Sequence, residues 1–150
     1  MPRGRVGAVA AAVTLLVLTL SGCSFAGTVS CRDGIQLDTA QDRMDAAPLV
    51  VDAHVRATDR TVDVEGDYRL LEATVTEVVK GTAPSRSLEL FSPSDQCTSS
   101  GKPVEYLDDV LAEPGRYRLY LTAERPGLWR LIVPGAADPL DADGNVRPAS

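Results

Sequence analysis

The sequence predicts an all-β domain: a small five-stranded barrel with one short helix. Three observations carry this. Leu49, Val51, Ala53 and Val55 alternate with Val50, Asp52, His54 and Arg56, the period-two pattern of a half-buried strand. Tyr68 to Val79 is the longest β-favouring run of the chain. Tyr117, Leu119 and Leu121 alternate with Arg118, Tyr120 and Thr122, and Arg125-Pro126-Gly127 then turns the chain into Leu128 to Val133, with Trp129, Leu131 and Val133 on one face of a hairpin. Closure removes the exposed edges that a flat sheet of this size would present. A two-sheet sandwich is the competing architecture, and periodicity does not separate the two.

The chain begins with a leader. Arg3 and Arg5 are followed by an uncharged run, Val6 to Leu20, rich in Ala, Val and Leu. The run is shorter than the roughly 20 apolar residues a membrane-crossing helix needs, so it reads as the apolar part of a signal peptide. Leu20-Ser21-Gly22-Cys23 matches a bacterial lipobox. By that match residues 1–22 are removed, the Cys23 thiol carries diacylglycerol, and the new amine is often acylated. One acyl chain holds a membrane only marginally; two or three on one residue make release negligible. Residues 23–30 form a tether, 31–145 the β domain and 146–150 a tail.

Within the domain, Asp38 to Ala47 offers an N-cap at Asp38 or Thr39, early acids and a closing Pro48, a short helix with Met44 inward. After the first strand, Asp59 to Gly66 reads as a charged hairpin loop. In the following run Val78 and Val79 fall out of phase with Leu71, Ala73 and Val75, which implies a β-bulge before Lys80-Gly81. Leu88 and Leu90 mark a third strand, Pro93 to Pro103 a loop, Asp108 to Gly115 a helical turn, and Asp138 to Ser150 an aperiodic end.

Removing two arginines and no acid from 15 basic and 21 acidic residues leaves 13 against 21, a net charge of −8. Such a surface repels phosphate backbones, so nucleic acid is not an expected partner. With Cys23 lipidated, Cys31 and Cys97 remain, and outside the cytoplasm two thiols of a small domain usually pair. Closing that long loop is worth about 4 kcal/mol in the chain-entropy treatment. A metal or redox role is the alternative, but the spacing is not Cys-x-x-Cys and the chain has one histidine.

Three stretches together resemble secreted bacterial OB-like barrels, which are similar to netrin and tissue-inhibitor-of-metalloproteinase domains. They are Pro48-Leu49-Val50-Val51-Asp52-Ala53-His54-Val55, Tyr68 through Glu77-Val78-Val79-Lys80-Gly81, and, after a loop cysteine, Pro114-Gly115-Arg116-Tyr117-Arg118-Leu119-Tyr120-Leu121. In the inhibitors a free N-terminal cysteine chelates the protease zinc through its amine and carbonyl. Here Cys31 is internal and Cys23 is the lipidation site, so the resemblance implies the fold and not that chemistry.

Few residues suggest a reaction. His54 lies on the polar face of its strand without a nucleophile motif. Asp138, Asp141, Asp143 and Gly144 are spaced somewhat like a calcium loop, but with Gly144 sixth, Ser150 stands where the bidentate acid belongs, and a turn is favoured. Arg116, Arg118, Arg125 and Arg130 concentrate positive charge on the C-terminal hairpin, where Glu113 to Pro134 has a net charge of +2. Arg118, Tyr120 and Arg130 are therefore the candidate contact residues, since Arg and Tyr carry much of the energy at interfaces. A solvated strand face is the plainer reading. The expected class is a lipid-anchored binding module of the cell envelope, held to the membrane through Cys23, meeting an envelope protein, and without catalysis, cofactor or metal. The alternatives are an envelope enzyme with an unrecognised site and a carrier of a small ligand.

Overall fold

The computed structural model describes residues 35–94 and 104–148. Cys23, Cys31, Cys97 and the expected leader, residues 1–22, lie outside these residues. Helix α1 (Ala40–Ala46) opens with a reciprocal cap. The Thr39 hydroxyl accepts from the Asp42 backbone N–H at 3.1 Å, and the Asp42 carboxylate accepts from the Thr39 backbone N–H at 3.3 Å. Lys80 Nζ donates to the Met44 and Asp45 carbonyls at 2.7 and 3.0 Å, closing the other end before Pro48. A helix of seven residues is too short to persist alone, so its packing on the sheet holds it.

The strands are β1 (Leu49–Asp63), β2 (Asp67–Lys80), β3 (Ser87–Phe91), β4 (Gly115–Arg125), β5 (Leu128–Leu131) and β6 (Ala137–Pro139). The first five close in the order β1-β2-β3-β5-β4 and back to β1. Only the β3–β5 pairing is parallel. This is a closed five-stranded barrel, compatible with an OB-like fold. Its interior is filled by Leu49, Val51, Ala53, Leu71, Ala73, Leu88, Leu90, Leu119, Leu121 and Leu131, each no more than 2% exposed. Burying one leucine is worth roughly 1.5–3 kcal/mol, so this filling is the main source of stability.

The bulge expected near Val79 is present, and a second accompanies it. Between the pairs Val50/Lys80 and Val51/Val78 the residue Val79 is extra, and between Asp52/Glu77 and Ala53/Val75 the residue Thr76 is extra. These bend β2 so that its partner β1 can also reach β4. Gly81 then turns the chain at φ 81°, where a Cβ would sit 2.4 Å from the Pro48 carbonyl oxygen, so the turn needs glycine twice over.

Four expectations are corrected. The Asp59 to Gly66 loop is mostly strand: β1 continues to Asp63, because three residues, Thr58 to Arg60, bulge opposite Leu70 and the ladder resumes at Thr61. The Leu70 carbonyl so displaced accepts from the Thr58 hydroxyl at 2.7 Å. The helical turn after β3 lies at Tyr106–Asp108, ahead of the expected position. The C-terminal end is ordered, with β6 pairing Tyr117 to Leu119 and Leu140 bridging Val146. It takes the edge of β4 that β5 leaves when the chain loops out between Ile132 and Ala136, the two residues that bracket Tyr120 by backbone hydrogen bonds of 3.0 and 3.1 Å. Finally, Val50 and Asp52, expected outward, are 0% and 4% exposed. Alternation assigns them to the outer face of the barrel, but there Arg118 meets Asp52, and Tyr120, opposite Val50 in the ladder, is itself buried beside Arg43 of α1. No helix among the described residues is long and apolar enough to cross a membrane.

Candidate functional site

Arg118 and Asp52 are direct cross-strand partners on β4 and β1. Their side chains form a two-point pair on the outer face, Nε to Oδ1 at 2.8 Å and Nη2 to Oδ2 at 2.9 Å. The hydrogen bonds to Asp52 hold the Arg118 guanidinium above its ordinary value despite partial loss of solvent. The Thr76 hydroxyl donates to the Asp52 carbonyl at 2.9 Å, tying the β2 bulge to the same place.

Next along β4, Tyr120 points out of the barrel and is nevertheless 1% exposed. Its hydroxyl donates to Asp138 Oδ2 at 2.7 Å, and Arg43 Nη2 donates to Asp138 Oδ1 at 2.7 Å. The Arg43 guanidinium carbon stands 5.3 Å from the centre of the Tyr120 ring. Burial first, and then the hydrogen bond to Asp138, pushes the Tyr120 hydroxyl up to about 12. Arg43 of α1, Tyr120 of β4 and Asp138 of β6 thus join three elements at one point.

The structure therefore keeps Tyr120 on the outer face but corrects its expected exposure to solvent. Of the expected contact residues, Arg118 and Tyr120 are engaged inside the molecule. Arg130, opposite Thr122 in the β4–β5 ladder, remains at the surface with its side chain 33% exposed, and its Nε meets Glu124 Oε2 at 2.9 Å. Arg125 is exposed at the adjoining turn. Arg116 donates to the Asp141 and Ala142 carbonyls at 3.0 and 2.8 Å and so fastens the C-terminal segment.

His54 is exposed, between Thr74 and Arg116 in the register. The acid-rich segment folds as a turn: Asp141 Oδ1 accepts from the Asp143 and Asn145 backbone N–H groups at 2.9 and 2.8 Å, and these hydrogen bonds hold its carboxyl below the usual range. Asp138 is committed to Arg43 and Tyr120. Among the described residues no group of three His, Cys, Asp or Glu side chains stands ready for a metal ion.

A small cavity of about 60 Å³ lies among Asp67, Arg69, Ser92, Ser94, Tyr106 and Asp109. Small-molecule sites take roughly 300–1,000 Å³, so this space suits ordered water. Arg69 closes it, 4.0 Å from the Tyr106 ring centre and donating to the Tyr106 hydroxyl and the Leu111 carbonyl at 2.7 Å each. Asp109, buried, accepts from Ser92 Oγ and, at 2.7 Å, from the Leu111 backbone N–H. These bonds satisfy the buried polar groups of Ser92 and Asp109.

Set against protein-family models, curated proteins and solved structures, the chain finds no match.

The raised Tyr120 hydroxyl has a signed consequence for stability. The folded state favours the protonated phenol, so this contribution is fully present below pH 10.0, the ordinary value, and is lost as pH climbs toward about 12. Tyr120→Phe is expected to lower stability at neutral pH by about 1.5–3 kcal/mol, as for hydrogen bonds to charged groups. It is also expected to flatten the alkaline decline. Thermal unfolding followed by Trp129 fluorescence across that pH window checks both; an unchanged alkaline limb would assign the decline to other groups.

Proposed function

We propose that the chain is a lipoprotein of the extracytoplasmic face of the cell membrane, whose barrel binds an envelope partner and catalyses no reaction. The observation that carries the reading is Leu20-Ser21-Gly22-Cys23 behind Arg3, Arg5 and the uncharged run Val6 to Leu20. Binding on the outer surface is favoured over carriage of a small ligand because leucine, valine and alanine side chains fill the barrel interior. The kinship with netrin-like and tissue-inhibitor-like barrels is part of the proposal. The single parallel pairing, β3 with β5, supports it, and the zinc-chelating chemistry of those inhibitors stays excluded by the internal position of Cys31.

In this reading the contact surface centres on Arg130 and Arg125 of the β4–β5 hairpin, with Arg118 and Tyr120 holding the hairpin in place from beneath. Positive charge concentrated on an acidic domain would steer an acidic partner there. Cys31 and Cys97 are proposed to form the domain's disulfide, in keeping with an oxidising compartment.

Expression of the full chain in a host that processes lipoproteins tests location and binding together. Mass spectrometry is expected to give a mature chain starting at Cys23 with two or three acyl chains, and Cys23→Ser to leave it unprocessed or shed. Arg130→Glu is expected to weaken capture of the envelope partner, most at low salt, with little change in melting temperature because the residue is at the surface. An unmodified terminus elsewhere would refute the anchor, and unchanged capture would remove the hairpin as the contact.

A further inference from the structure

The β1–β2 ladder changes character at the Thr58 to Arg60 bulge. Beyond it the two strands continue as three pairs only, Thr61 with Arg69, Val62 with Tyr68 and Asp63 with Asp67. The β1–β4 ladder stops at Val55 and the β2–β3 ladder at Leu71, so neither strand of this tip has a second neighbour among the described residues. A two-stranded ribbon of that length is not stable by itself, and its underside must hold it.

That underside is apolar. Tyr68 and Leu70 form, with Phe91 of β3 and Leu128 of β5, a buried cluster separate from the barrel interior, and Val62 and Val64 pack against it. Phe91 and Leu128 are 2% and 5% exposed, although alternation sets them on the outer wall in phase with Glu89 and Arg130. The Tyr68 and Phe91 ring centres stand 4.7 Å apart. The other tie between tip and wall is the Arg60–Glu89 ion pair, whose side chains are 59% and 45% exposed, and a pair so exposed holds weakly. Arg69 is fixed to the Tyr106 hydroxyl and the Leu111 carbonyl, which confines any swing to residues 62–68. The small cavity against Asp67 and Tyr68 leaves that segment short of full contact with what lies beneath it.

What the tip covers adjoins the hairpin arginines. In the ladders Phe91 stands opposite Arg130, and Leu128 opposite Arg125. An apolar patch with a guanidinium beside each of its residues suits an apolar anchor flanked by carboxylates. We infer that residues 62–68 are a hinged cover over a docking pocket on Phe91 and Leu128. Its occupant is an acidic peptide segment of the partner, which puts an aromatic side chain in place of Val62 and Val64 and sets carboxylates on Arg130 and Arg125. The inference rests on the β4–β5 hairpin being the contact surface, as proposed above. Because the pocket exists only while the tip is lifted, binding is weakened by the fraction of time it is shut, and loosening the tip strengthens binding.

The test uses the full chain and, as probe, the capped peptide Asp-Phe-Asp. Hydrogen exchange is expected to show the amides of residues 62–68 opening roughly tenfold or more as often as those of residues 53–55 in the same sheet. Val62→Ser with Val64→Ser is expected to raise opening of the tip alone and to bind the peptide severalfold more tightly than the unaltered chain, read from the NMR shifts of the Leu128 methyl groups. Adding Arg130→Glu, or replacing the peptide's Phe by Ala, is expected to abolish the gain. A tip that exchanges only together with the barrel overturns the cover. So does a double variant that opens more yet binds no tighter, even where Arg130→Glu still weakens capture of the envelope partner. A gain that survives Arg130→Glu overturns the hairpin arginines as the contact, and the acidic occupant with them.

Discussion

The pair formed by Asp52 and Arg118 sits on the seam that closes the barrel, and the arrangement around it follows from that position. β1 carries a neighbour on each edge, β2 on one and β4 on the other. A strand with both edges used and a packed inner face has one surface left, the outer one. At Asp52 that surface is covered as well, since the side chain is 4% exposed. A carboxylate there costs several kcal/mol unless a cation meets it, and Arg118 does so from the facing position of the ladder. Arg43, Asp138 and Tyr120 repeat the solution one step along, and through them α1 and β6 are seated on the barrel.

This polar layer explains why the sequence revealed the barrel more readily than the surface. Period-two alternation marks which residues share a face, and it placed Leu49, Val51, Leu119 and Leu121 together in the interior. It is silent on whether a second layer will cover the other face. Tyr120 and Asp52 therefore looked like surface residues, and Tyr120 like a contact. A signal was present: an acid in the middle of an otherwise apolar run, and an arginine in the middle of another, occupying the same phase of strands that could pair. The C-terminal strand gave no such sign. Ala137 to Pro139 is too short for periodicity, and it pairs only because β5 diverges from β4 beforehand.

The candidate site was legible to a similar, partial degree. The concentration of arginine on the C-terminal hairpin is plain in the sequence, but its members have separate employments. Arg118 neutralises a buried acid, Arg116 holds the carbonyls of a turn, and Arg130 keeps a half-buried ion pair with Glu124. Ion pairs near the surface are worth roughly 0–1 kcal/mol, so Arg130 exchanges its partner at less cost than Arg118, whose acid is buried. In the proposed reading the outer surface makes the contact, and the filled interior holds that surface in shape.

The Asp52–Arg118 pair fastens the seam. A double-mutant cycle with Asp52→Ala, Arg118→Ala and the double variant, read by chemical denaturation, measures it directly. Each single change is expected to cost about 2–4 kcal/mol, with a coupling on the order of 2 kcal/mol, because either residue alone leaves a poorly solvated charge. A coupling within a few tenths of a kcal/mol of zero would mean that the two charges are independently solvated and that the seam is held by the apolar interior alone.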